Sequence, residues 1–236
     1  MGAMGAIKSV LAGVAFLLPF SAAHSEPPPS LGLAIVYDTS GSMRDAVRDR
    51  SGKSAPKYQI ANNALMMVVD RLAAFHKTHA DLPLRTSLVV FSNNGGRDAV
   101  PFGEFDAERF RVWIRGFAQP SGATPLGNAI RDAAQPLLRA DLQHKHILVI
   151  TDGQNTSGPD PATVIPGLRA ELEKKGGRLG IHFVAFDVAA KVFDPVKKLD
   201  ATVVSAADEK QLDEQLSMIL ERKILLEDEE PAPKKS

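Results

Sequence analysis

The sequence predicts an α/β domain: a doubly wound, mostly parallel sheet with one antiparallel edge strand and helices on both faces. Three observations carry this. Short apolar runs alternate with segments whose apolar residues recur at helical spacing. Those helical segments are long enough to serve as crossovers between parallel strands. One pair of runs is joined by the turn Asn93-Asn94-Gly95-Gly96 instead, which makes an antiparallel hairpin.

Taken in order, Leu31 to Tyr37 (LGLAIVY) is apolar at nearly every position and reads as a strand covered on both faces. Lys57 to Lys77 reads as a long helix, with Ile60, Ala61, Ala64, Leu65, Val68, Leu72 and Phe75 along one stripe. Thr86 to Phe91 is the second strand. Its hairpin partner is Arg97 to Phe102, where Pro101 points to the edge of a sheet. Asp106 to Phe117 is a helix that places Phe110, Trp113, Ile114 and Phe117 on one face, and Pro125 to Leu138 is another.

His146 to Thr151 (HILVIT) is the next strand. A helix over Ala162 to Lys175 ends at Gly176-Gly177, as glycine past a helix end should do. Gly180 to Asp187 is a strand, Val192 to Leu199 a short helix, Ala201 to Ser205 the last strand and Asp208 to about Arg222 the final helix. Residues 31–222 therefore form one domain, with no internal repeat and no break in composition.

The flanks differ. Lys8 is followed by the apolar run Val10 to Phe20, then by Ala23 and Ser25 as small residues at the −3 and −1 positions of a cleavage site. Residues 1–25 are expected to be a signal peptide, cut after Ser25 or after Ala23. The apolar run is shorter than the roughly 20 residues a spanning helix needs. The chain is therefore expected to be exported, periplasmic or secreted, and membrane-anchored only if this segment is retained. Residues 26–30 (EPPPS) form a Pro-rich spacer and residues 223–236 a charged C-terminal tail.

Composition excludes several classes. The 236 residues are 44% hydrophobic and 24% charged, as expected for a soluble globular domain. Lys+Arg and Asp+Glu both number 28, so no overall field attracts nucleic acid. Absence of cysteine removes disulfides, zinc–thiolate sites and a cysteine nucleophile. No G-x-G-x-x-G or P-loop follows a strand, so a nucleotide ligand has no support.

In an open α/β sheet, ligands bind beyond the carboxyl ends of the strands. After the first strand come Asp38, Ser40 and Ser42, and after HILVI come Thr151, Asp152 and Gly153. Between them SGATPLGN (Ser121 to Asn128) sets Thr124 and Pro125 at a helix start. Each piece alone is also ordinary turn or capping chemistry. Together they are oxygen donors in loops on one edge of the sheet.

These residues carry a resemblance. Asp38-Thr39-Ser40-Gly41-Ser42, Thr124 and Asp152 are similar to the D-x-S-x-S…T…D pattern of von Willebrand factor type A domains, the metal-ion-dependent adhesion site. Ala123-Thr124-Pro125-Leu126 and Thr151-Asp152-Gly153 look like the bacterial members, and flanking cysteines common in secreted animal members are missing. The resemblance implies a Rossmann-like sheet and a bacterial exported type. It also implies a site for Mg²⁺ or Mn²⁺ at Asp38, Ser40, Ser42, Thr124 and Asp152, gripping an Asp or Glu of a protein partner. Mg²⁺ wants six hard oxygens and keeps waters. Two carboxylates, at most one of them direct by resemblance, leave the ion electrophilic with one position for an outside oxygen.

Catalysis is not expected. No His or Glu lies in the three loops to act as a general base; His76, His79, His144, His146 and His182 fall elsewhere. Neither serine sits in a G-x-S-x-G elbow. The competing readings are a subunit of an ATP-driven, chelatase-like assembly and a structural domain with an unused metal site.

Overall fold

In the computed structural model of the chain, which describes residues 29–91 and 94–225, β1 (Leu31–Tyr37) is buried at every position. The expected signal peptide, residues 26–28 of the spacer and residues 226–236 of the tail lie outside the described residues. Successive side chains of a strand point to opposite faces, and along β1 this alternation defines two cores. Leu33, Ile35 and Tyr37 enter one apolar cluster, Ala34 and Val36 the other.

Among the described residues the sheet has six strands. β1 pairs in parallel with β4 (Leu84–Phe91) on one side and with β6 (His144–Thr151) on the other. β7 (Gly180–Phe186) and β8 (Thr202–Ala206) extend it in parallel beyond β6. β5 (Gly96–Glu104) closes the opposite edge, antiparallel to β4. The β4–β5 register is irregular between Thr86 and Leu88, opposite the stretch that contains Pro101. A residue without an N–H belongs there. The expected mixed sheet is the observed one.

Helices cover both faces. On one, α1 (Lys57–Thr78), α2 (Ala107–Gly116) and α6 (Glu209–Ile219) pack through Leu65, Val68, Leu72, Phe110, Ile114, Leu212 and Leu216. On the other, α3 (Leu126–Arg139) and α4 (Pro161–Glu173) pack through Ile130, Leu137, Ile165 and Leu168. No helix among the described residues is long and apolar enough to cross a membrane.

Three features differ from expectation. The expected helix over Val192 to Leu199 is a 3-10 turn (Ala190–Phe193) running into the short α5 (Asp194–Lys197), broken where Pro195 cannot donate a backbone hydrogen bond. The stretch between the first strand and α1 contains a small antiparallel ribbon, β2 (Ala46–Arg48) with β3 (Ser54–Pro56). Strand β7 ends at Phe186, and Asp187 leaves it in a left-handed conformation with φ 52°.

Candidate metal site at the carboxyl edge of the sheet

The strand order turns back on itself at β1, flanked by β4 and β6, and the carboxyl ends of β1 and β6 open onto one surface. Asp38 N donates to Ile150 O at 3.0 Å, so the first loop begins tied to the end of β6. Asp38 is fully buried and its carboxylate works at once. Oδ1 accepts from Ser40 N at 2.8 Å, and Oδ2 accepts from Thr151 Oγ1 at 2.6 Å.

A chain of hydroxyls and carboxylates runs outward from there. Ser40 Oγ and Ser42 Oγ lie 3.1 Å apart, and Ser42 Oγ donates to Asp152 Oδ1 at 2.8 Å. Asp152 is buried, whereas Ser42 is exposed. Buried acidic oxygen thus lies behind accessible hydroxyl oxygen.

Thr124, also buried, comes from the second loop. That loop is pinned to the first by Gly41 N to Gly122 O at 3.1 Å, Ser121 N to Thr39 O at 2.8 Å and Arg44 Nε to Pro120 O at 2.7 Å. It is pinned to the third by a reciprocal pair: Thr124 N donates to Thr156 Oγ1 at 2.9 Å, and Thr156 N donates to Thr124 O at 3.0 Å. The N-cap of α3 is Pro125, and no side chain caps it. Capping therefore does not account for the Thr124 hydroxyl. A β-carbon placed on Gly153 would stand 4.0 Å from Thr124 Oγ1, so the second and third loops meet around that hydroxyl.

Electrostatics call for a cation. Burial, then repulsion from Asp152, raises Asp38 from 3.8 to about 6, against the opposing hydrogen bonds from Ser40 and Thr151. Behind it, burial and then the charges of Asp38 and Asp152 push the Tyr37 phenol well above its ordinary value. Tyr37 Oη donates to Asn62 Oδ1 at 2.8 Å, and its ring meets Trp113 and Phe117 edge-on. This is a rigid apolar floor beneath two acidic groups.

The donor set fits a hard divalent ion. Among the described residues no group of three or more His, Cys, Asp or Glu could hold a metal, so an ion here would draw on hydroxyls as well as carboxylate: those of Ser40 and Ser42, with Thr124 at hand from the second loop. Hard all-oxygen donors in a tight loop suit Mg²⁺ or Mn²⁺. Each Asp38 oxygen already accepts one hydrogen bond, and its charge stands behind the serines. A divalent ion would supply an electrophilic centre able to accept a carboxylate from outside.

Sequence reasoning missed Lys57. The first residue of α1 is buried, and its Nζ lies 3.1 Å from Asp152 Oδ2 and 2.9 Å from Asp187 Oδ2. Burial pulls this ammonium down, but the hydrogen bonds and charges of Asp187 and Asp152 outweigh it and hold it raised. The sequence offered only an indirect signal, an acidic residue, Asp187, at the end of an apolar strand. The histidines stand apart from these bonds: His146 and His182 stack in the sheet with Nδ1 and Nε2 3.2 Å apart, and His79 stacks on Phe75 at the end of α1. The Asn155 amide, part of an Asn-x-Ser sequon, accepts from Gly127 N at 3.3 Å and donates to Gly158 O at 3.0 Å.

Solved structures share this architecture. The von Willebrand factor domain of the type V pili tip protein Mfa5 from Porphyromonas gingivalis matches with a TM-score of 0.60 at 12% identity, over 82% of this chain and 94% of that one. The PilB minor pilin from Streptococcus sanguinis matches with a TM-score of 0.59 at 17% identity, over 82% of this chain and 61% of the pilin. The chain thus spans about three-fifths of the pilin's length. Proximal thread matrix protein 1 from the mussel byssus, in a form with a zinc-occupied metal-ion-dependent adhesion site, matches with a TM-score of 0.57 at 16% identity, over 81% of this chain and 47% of that one. At such identities these likenesses speak to the fold alone. No curated protein matches the chain. The family model of the von Willebrand factor type A domain matches residues 33–154, more than half of the chain, a span that includes Asp38, Ser40, Ser42, Lys57, Thr124 and Asp152. The chain belongs to the von Willebrand factor type A domain family.

Proposed function

We propose that this chain is an exported binding protein whose three loops hold Mg²⁺ or Mn²⁺ and grip an Asp or Glu of a protein partner through the ion. One observation carries the reading most directly. The Ser40–Ser42–Asp152 chain joins the exposed Ser42 to the buried Ser40, backed by two buried carboxylates. Such a site attracts a divalent ion without saturating it with negative charge, so the ion keeps appetite for one more carboxylate. We read the site as one for binding rather than catalysis, because its two carboxylates, Asp38 and Asp152, are already held in hydrogen bonds and no His or Glu joins them. Mfa5 is a pilus tip protein and PilB a minor pilin, which agrees with an adhesive role outside the cell.

The test is a pull-down from the native envelope fraction with the full chain as bait, in Mg²⁺ and in EDTA. A protein retained only in Mg²⁺, and lost with Ser42→Ala bait, supports the reading. Retention indifferent to EDTA overturns it. Export is checked by intact mass from the native host, where a mature chain starting at Glu26 or His24 is expected and a retained 1–25 segment refutes the signal.

A further inference from the structure

We propose that Lys57 is a resident cation that sets the affinity of the site for its divalent ion. This rests on the metal reading above and extends it to a residue outside the loop motif.

Lysine is almost never fully buried unless paired, and Lys57, with a side chain 7% exposed, has two carboxylate partners. They are not equivalent. Asp152 is the third-loop carboxylate: its Oδ1 accepts from Ser42, on the side of the hydroxyls, and its Oδ2 faces Lys57. Asp187 belongs to no metal loop, and its side chain is 40% exposed. It meets Lys57 where the chain leaves β7 at φ 52°, a region that Asp and Asn tolerate better than most residues. The segment is fixed by Asp187 N donating to Ala206 O at 2.7 Å. Lys57 is likewise fixed at its backbone, where its N–H donates to Asp45 O at 2.9 Å. The ammonium is therefore held between the site and a carboxylate placed to share it.

Two consequences follow. Lys57 holds Asp152 Oδ2, so in this orientation the carboxylate gives one oxygen to the ammonium and turns the other toward the hydroxyls. Its positive charge, one carboxylate away from the hydroxyls, also opposes a second cation. Asp187 moderates this by taking part of the ammonium's charge. Lys57 thus holds the ion more loosely than the acidic residues alone would, and leaves it electrophilic toward a partner's carboxylate.

The two partners give predictions of opposite sign. In Mg²⁺ titrations of the EDTA-stripped full chain, Lys57→Met should tighten binding by about tenfold or more, because a like charge is gone and Asp152 is free. Asp187→Asn keeps the shape and tolerates the same φ, but leaves Asp152 as the ammonium's sole acidic partner, and should weaken binding by roughly threefold or more. Thermal unfolding in EDTA and in Mg²⁺ serves as a second readout: the Mg²⁺-induced rise in midpoint should be larger than wild type for Lys57→Met and smaller for Asp187→Asn. Unchanged or weaker Mg²⁺ affinity in Lys57→Met would mean the lysine only braces the loops, and the proposal falls. If Lys57→Met does not fold in EDTA, Asp187→Asn decides alone, and affinity equal to or tighter than wild type overturns the proposal. A wild-type chain that binds no Mg²⁺ would remove the metal reading itself, an outcome distinct from normal binding that ignores Lys57.

Discussion

Ser42 Oγ donates to Asp152 Oδ1 over 2.8 Å, joining residues 110 positions apart in the chain. The contact exists because β1 and β6 are neighbours in register, with Tyr37 opposite Ile150, so the loops that follow them emerge side by side. The fold brings together what the sequence separates, and the pairing leaves a hydroxyl rather than a carboxylate foremost.

Asp38 supplies charge from beneath this contact. Asp38→Ala should reduce Mg²⁺ affinity by at least about a hundredfold, since one of two carboxylates goes and Ser40 loses the acceptor that positions it. The fold should survive. Loss of the hydrogen bonds from Ser40 N and Thr151 is offset by removal of a buried charge that the site strains to hold. Calorimetric titration and unfolding midpoints in EDTA read the two effects; a midpoint within about 5 °C of wild type is expected. Equal Mg²⁺ affinity in the two proteins would remove Asp38 from the site.

The same carboxylate predicts a pH response. Its folded value is raised from 3.8 to about 6, so protonation favours the folded, metal-free state. The stabilisation is fully present below about 3.8 and lost as pH rises through about 6. Metal-free wild type should therefore be more stable relative to Asp38→Asn at pH 5 than at pH 7.5, by on the order of 1 kcal/mol. Mg²⁺ affinity should move the other way, falling as the proton competes below about pH 6. Denaturant unfolding of both proteins in EDTA at the two pH values checks the sign; parallel curves would contradict the raised value.

Much of this was legible in the sequence, for physical reasons that differ by element. β1 is readable to its last residue, because seven buried positions end abruptly at a carboxylate. The first and third loops are readable because Asp and Ser have no apolar reason to follow buried strands, and the second because Thr124-Pro125 marks a helix start. The ribbon of β2 and β3 was not legible: AVR and SAP are three-residue strands with no fully buried side chain, too short to show a period. Lys57 was hidden for a different reason. A lysine that opens a helix reads as solvated, and only the tertiary fold shows that its ammonium meets Asp152 and Asp187. Asp187 in turn read as the last residue of a strand, because its left-handed backbone leaves no mark in composition.

Gly127 locks the second loop to the third. A β-carbon there would lie 2.0 Å from Pro159 O and 3.0 Å from Pro159 C, both backbone atoms that cannot step aside. Gly127→Ala should cost roughly 1–3 kcal/mol through overpacking. It should also weaken Mg²⁺ binding, since the displaced Pro159 belongs to the loop that carries Asp152. Gly167 in α4 meets nothing within 4 Å, and Gly167→Ala should be stabilising by about 0.4–1 kcal/mol. Unfolding midpoints separate the two, and a neutral Gly127→Ala would show that the loops can part without cost.

Thr124 distinguishes holding an ion from gripping a partner. Ser40, Ser42 and Asp152 are already linked at 3.1 and 2.8 Å, whereas the Thr124 hydroxyl stands outside that chain. Its backbone is held by the reciprocal bonds with Thr156, so Thr124→Ala removes the hydroxyl and leaves the loop in place. Metal can then be held by the first and third loops, with the Thr124 oxygen engaging when a partner's carboxylate draws on the ion. A ligand that engages only in the bound state contributes only there. Thr124→Ala should therefore cost partner affinity on the order of 1.5–3 kcal/mol, with a much smaller loss in Mg²⁺ affinity. Paired titrations measure this: Mg²⁺ into each protein, and a partner captured in Mg²⁺ into each metal-loaded protein. Equal losses in both would make Thr124 a constant ligand with no role in switching. No loss in either would leave its hydroxyl without function at the site.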